Sequence, residues 1–159
     1  MRKSHDHVVR ATPGAVVARR IAEVRGRRRY SQQELARRMT DLGYPINQTT
    51  IARIERGGTR AENMPLRELL VFGYALGVSP LHLFVPLSED ERLEITARIS
   101  AEPSRARAWI RGTNEHLQGT NDGDPRIYFS EVPDVELLRA TDAGVGTDSE
   151  QVTRKEKED

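Results

Sequence analysis

The chain has 159 residues, a formal net charge of +1 and no cysteine. That length supports one good core and a small second unit. Disulfides, thiolate catalysis and Cys-ligated zinc are excluded, a reducing cytosol is comfortable, and no apolar run approaches the roughly 20 residues that span a bilayer.

Residues 1–12, MRKSHDHVVRAT, show no periodicity and no apolar signal segment, and are expected to be a flexible arm. Thr12-Pro13 is a good helix start, with Pro at the first helical position. Val17, Ile21 and Val24 then form one stripe at i, i+4, i+7, so a first helix is expected over about 13–28. Ser31-Gln32-Gln33-Glu34 reads as a capping box, with Tyr30 and Leu35 as its hydrophobic staple. The second helix follows and ends near Leu42-Gly43, because Pro45 disfavours helical geometry at Tyr44. Asn47 is the next N-cap, with Ile46 and Ile51 as a staple, and a third helix is expected over about 48–56, stopped by Gly57-Gly58. A fourth runs from Pro65 to Leu76, with Leu66, Leu69, Leu70 and Phe72 as its apolar contributors and Gly77 as its cap. Ser79-Pro80 opens a short fifth helix, with Leu81 and Phe84 facing in.

After Pro86 the pattern changes. Leu93, Ile95, Ala97 and Ile99 alternate with polar residues, which predicts a half-buried strand over 93–99. Pro103 to Arg111 reads as a short helix carrying Trp109, expected as a core anchor. Residues 121–125 read as a turn, and Ile127-Tyr128-Phe129 as a second strand. From about 140 the chain is polar and charged, and is expected to be disordered. The fold class expected is therefore mainly α: a five-helix bundle with a helix–turn–helix over residues 13–86, a small α+β extension over 87–139, and disordered tails at 1–12 and 140–159.

The charge is unevenly distributed. Residues 1–60 hold 14 Lys and Arg against 5 Asp and Glu, whereas residues 61–159 hold 11 against 19. This suggests a polyanion-binding front and an acidic back. The basic residues are 22 Arg and 3 Lys. Arg makes forked bonds to phosphate and guanine, although a GC-rich coding genome produces the same bias. The third helix keeps Ile51 and Ile54 inside and offers Gln48, Thr49 and Arg53 outward. That division suits a helix lying in a DNA major groove, about 12 Å wide. Gln48 can pair with adenine, Arg53 with guanine, and the Thr49 methyl can touch thymine.

"SQQELARRM" followed by "INQTTIARIERG" resembles the helix–turn–helix of the lambda Cro and repressor family, the xenobiotic-response-element type. "LRELLVFGYALGVSPLHLF" supplies the next two helices of that pattern, so the resemblance spans about residues 15–86. It implies base contacts from Gln48, Thr49 and Arg53, and phosphate held by Gln32 at a helix N-terminus. It also implies a structural pair, Arg25 with Glu55. Arg27, Arg28, Arg29, Arg56 and Arg60 are further candidate phosphate contacts, and each also reads as a solvated helix end. One departure stands out: "TDLGYP" makes the connection between the second and third helices about five residues longer than the family's. Similar elongated versions are familiar from actinobacterial chromosomes and phages.

The function this implies is a sequence-specific regulator of transcription that binds double-stranded DNA, a repressor, cytoplasmic and nucleoid-associated in use. A homodimer through residues 87–139 is expected, since the strand at 93–99 needs a partner and the chain offers only residues 127–129. No membrane contact and no cofactor are implied. His5-Asp6-His7 offers too few ligands for a metal, and His82 and His116 have no triad partner. No phosphate loop or paired-carboxylate motif appears, so an enzyme is not expected. Two other classes stay open. One is the antitoxin of a toxin–antitoxin pair, its acidic half neutralising a basic toxin. The other is an adaptor that binds protein through the bundle.

Overall fold

A computed structural model describes residues 9–113 together with Pro133. Residues 9–113 lie within one compact unit. The described residues are mainly helical, with a small three-stranded sheet. The expected turn at 121–125, strand at 127–129, tail from 140, and the histidines at 5, 7 and 116 lie outside the described residues.

The helices follow their local signals. Helix α1 spans Pro13–Arg27; its N-cap Thr12 accepts a hydrogen bond from the Ala15 amide. Helix α2 spans Gln32–Asp41, and the Ser31 hydroxyl accepts from Glu34 N at 3.0 Å. The second half of the capping box is replaced: the Glu34 carboxylate turns to Arg38, 3.8 Å away. Helix α3 spans Gln48–Glu55, capped by Asn47, whose Oδ1 accepts from Thr50 N at 2.8 Å. Six helices rather than five occupy this region. The added one, α4, is the single turn Thr59–Glu62. Gly14 makes room for it, since a Cβ there would lie 2.6 Å from Glu62 Cα. Helix α5 spans Leu66–Leu76, ended by left-handed Gly77, and α6 spans Leu81–Phe84.

One core joins them. Val17, Ile21 and Val24 of α1 meet Leu35, Ala36 and Met39 of α2, Ile51 and Ile54 of α3, Phe72 and Leu76 of α5, and Leu83 of α6. Two expected inward residues of α5 are not in it: Leu66 and Leu70 are 71% and 50% exposed. The buried line on α5 is Glu68, Phe72 and Leu76, at i, i+4, i+8. On α6 the buried residue is Leu83, with Leu81 and Phe84 half-buried beside it.

The strand expected over 93–99 is two strands. β2 covers Glu91–Thr96 and β3 covers Ile99–Ala101, with an irregularity between Glu94 and Thr96. The Thr96 hydroxyl accepts from Arg98 N and Ile99 N, which turns the chain back on itself. The apolar alternation ran through this turn and hid it. The arm is also partly ordered: Val9–Ala11 forms β1, which pairs in parallel with β2 (Val9 with Glu91, Ala11 with Leu93). β2 is thus the central strand of a sheet ordered β1-β2-β3. Both of its edges are met within one chain, which removes the ground for a second copy joining there. Helix α7, Pro103–Ile110, lies against β2 through small residues, Pro103 and Ala106. Trp109 falls off that line and is 37% exposed, so it is not the core anchor expected. Val85, Leu93, Ala101 and Ala106 make a second small core against Leu81 and Phe84. Arg19 of α1 forks onto Glu91 of β2 at 2.6 and 3.0 Å.

Candidate nucleic-acid interface

Helix α3 is held on its inner side by Ile51 and Ile54, both fully buried. Its end is tied by one carboxylate. Glu55 accepts from Arg25 Nε at 2.6 Å, from Arg25 Nη2 at 3.0 Å and from Gln32 Nε2 at 2.7 Å. Arg25 also donates to the Tyr30 carbonyl at 2.7 Å. Three helices therefore converge on Glu55. The hydrogen bond to Glu55 raises the already high pKa of Arg25, against the opposing effect of burial.

The outer side is open. Gln48, Thr49 and Arg53 are all exposed. None of their side chains makes a hydrogen bond or ion pair with any described residue, so these polar groups remain available to a partner. Thr49, Arg53 and Arg56 share a face at spacings of four and three residues. Arg56 bends back to its own helix, Nε donating to the Ala52 carbonyl at 3.3 Å, which leaves its outer nitrogens outward.

The other candidate phosphate contacts do not gather on this face. Arg25 and Arg27 are two residues apart, so about 200° apart around α1. With Arg25 turned to α3, Arg27 points to the opposite flank. There Arg27 and Arg28 line a depression of about 350 Å³ with Arg20, Val24, Val78, His82 and Leu87. Arg28 caps α5, donating to the Leu76 and Gly77 carbonyls at 3.2 and 3.4 Å. Arg29 is exposed and left-handed, φ 60°. It sits where α1 ends in a Schellman turn, with Tyr30 N donating to the Arg25 carbonyl at 3.1 Å and Arg29 N to the Gly26 carbonyl at 2.9 Å. Gln32 has one amide hydrogen committed to Glu55. Arg60 is turned inward: its Nη2 lies 2.6 Å from both oxygens of Glu68.

Glu68 and Tyr44 are site residues that the pattern of the sequence did not single out. Glu68 is 2% exposed. Tyr44, in the connection between α2 and α3, donates its hydroxyl to Glu68 Oε2 at 2.8 Å. Burial, then this bond, push the Tyr44 pKa above its ordinary 10.0. A signal for Glu68 was present: it lies four residues before Phe72 and eight before Leu76, on the buried line of α5.

Among the described residues no helix is long and apolar enough to cross a membrane, and no cluster of His, Asp and Glu could hold a metal ion. No protein-family profile matches the chain, and neither a curated protein nor a solved structure does.

Proposed function

We propose that the chain is a sequence-specific regulator, a repressor of transcription, which lays α3 in the major groove of double-stranded DNA as the second helix of a helix–turn–helix. One observation carries the reading. On α3 the inner side is completely buried and the outer side presents an unpartnered Gln, Thr and Arg, the side chains that read base edges. The Glu55 tie adds to it, because base readout needs a helix held in fixed orientation.

The test is a duplex titration between about 50 and 200 mM salt, with a site chosen by selection from random duplexes. Each phosphate neutralised contributes about −0.9 to the log–log slope. Arg28 and Arg60 are committed to bonds within the protein and Arg27 faces away, so a slope of about −2 to −4 is expected. A slope near zero, with no sequence selected, removes the proposal.

One observation favours protein binding as a second reading. Leu66, Leu70 and Tyr74, at i, i+4, i+8 on α5, are 71%, 50% and 78% exposed and form an outward apolar stripe. An adaptor or antitoxin would use it. Leu70→Glu would then abolish capture of the partner, whereas it would leave the affinity for a selected duplex within about twofold, a small change on the affinity scale.

A further inference from the structure

The connection between α2 and α3 has six residues, 42–47. Its first half is fastened to α2: Gly43 N donates to the Thr40 carbonyl and Tyr44 N to the Met39 carbonyl, both at 2.9 Å. Its second half is not. Pro45 has no N–H, and Ile46 N reaches only the Thr40 hydroxyl, at 3.5 Å, the far limit of a hydrogen bond. Asn47 spends its side chain on capping α3. Tyr44 and Ile46 pack against the bundle core, but the space beside them is not filled. An open cleft of about 480 Å³ runs along the connection, lined among others by Tyr44, Ile46, Asn47, Arg60 and Glu68. One polar bridge crosses to α5, from the Tyr44 hydroxyl to Glu68. Glu68 is fixed in turn by its burial and by Arg60.

We propose that Tyr44, Glu68 and Arg60 are positioning residues, which set where the N-terminus of α3, with Gln48 and Thr49, lies against the body of the protein. They thereby determine sequence discrimination without touching DNA. This rests on the DNA-binding reading above. Arg60 thus serves α5 and the connection rather than a phosphate. A hydrogen bond spanning a cleft adds direction to the hold that Tyr44 and Ile46 have on the core, and a buried carboxylate without a cation is costly. The three groups therefore form one unit, which holds the longer connection together with the core contacts of Tyr44 and Ile46.

The test uses the full chain and Tyr44→Phe, which removes one hydroxyl and keeps the ring. One net hydrogen bond is worth about 0.5–1.5 kcal/mol, or roughly 2- to 12-fold. Cognate affinity should fall within that range, random-duplex affinity should hold within about twofold, and the salt slope should not move. Amide exchange in free protein should quicken at Thr50 and Ile51 while Ile21 and Val24 of α1 keep their protection. The charge-neutral pair Arg60→Gln with Glu68→Gln keeps donors and acceptor and avoids a lone buried charge. Its slope should equal the parent's, whereas a lost phosphate contact would flatten it by about 0.9. Equal loss of cognate and random affinity in Tyr44→Phe, or unchanged exchange at α3, overturns the positioning role. A flattened slope in the neutral pair returns Arg60 to the phosphates. If the parent chain itself selects no sequence, the DNA reading fails, and the exchange at α3 still decides whether Tyr44 holds the helix.

Discussion

Replacing Glu55 by Ala should lower stability by about 2 kcal/mol. The figure lies between two limits. An exposed ion pair is worth about 0–1 kcal/mol, whereas breaking a buried one costs about 3–5. Here the Arg25 and Glu55 side chains are 20% and 8% exposed, close to but short of full burial. The substitution deletes two charge-assisted bonds from Arg25 and one bond from Gln32. Arg25 keeps the Tyr30 carbonyl, and the opened site admits water, which lowers the cost from the upper limit. Urea denaturation followed by circular dichroism, with no DNA present, measures the loss. For a domain of about 100 residues, 2 kcal/mol corresponds in a thermal scan to a melting-temperature shift of about 8–16 °C. Repeating the measurement at 0.5 M salt should leave most of the difference, because a largely buried pair is weakly screened. A loss under about 0.5 kcal/mol, or one erased by salt, would make the contact an ordinary surface pair. The claim that it fixes the end of α3 would then fall.

Gln48→Ala and Arg53→Ala should each cost about 1–3 kcal/mol on a selected site and relax specificity at one base pair, measured by competition with single-base variants; equal losses on cognate and random DNA would show that α3 does not read bases. Arg29→Gly should stabilise by up to about 1 kcal/mol in urea, since a left-handed residue other than Gly carries about 1–2 kcal/mol of strain and Gly returns part of it as chain entropy; a lower stability would mean that the arginine side chain makes a contact worth more than the strain. The raised pKa of Tyr44 means that the folded state holds this proton more tightly than the unfolded chain. Its contribution is complete below the unfolded value near 10 and is lost as pH rises through the higher folded one. Stability should therefore fall in alkaline urea melts, and Tyr44→Phe should make that fall shallower. Ending the chain at Pro86 should lower the melting temperature and remove amide protection at Ala11, since it deletes β2 and uncovers Val85; an unchanged melt would show that the sheet adds nothing to the bundle.

The bundle was legible because its signals are local. Thr12, Ser31 and Asn47 cap helices through atoms three residues away, and Gly77 ends one through its own backbone. The α3 site was legible for the same reason: eight residues divide cleanly into buried Ile51 and Ile54 and exposed Gln48, Thr49 and Arg53. What escaped depends on distant partners. Val9–Ala11 is a strand only because Glu91–Leu93 lies beside it, and three residues carry no period. Arg60 looks like any exposed cation until Glu68 is seen to be buried beneath it. The α5 pattern was overcounted, because Leu66 and Leu70 are apolar but lie on the outer side of a helix whose inner line includes a glutamate. The exposed place of Trp109 follows from the small residues that let α7 approach β2.

The parallel pairing of β1 with β2 joins stretches about 80 residues apart, a long loop to close before any contact rewards it. During synthesis Val9–Ala11 leaves the ribosome early and must wait for Glu91–Thr96, made some seconds later at about 5–20 residues per second. Throughout that interval the six helices can assemble from nearby segments, while the first strand has no complement. Sheet closure therefore cannot begin until Glu91–Thr96 is made, and β1 with β2 closes the longest loop of any pairing in the sheet.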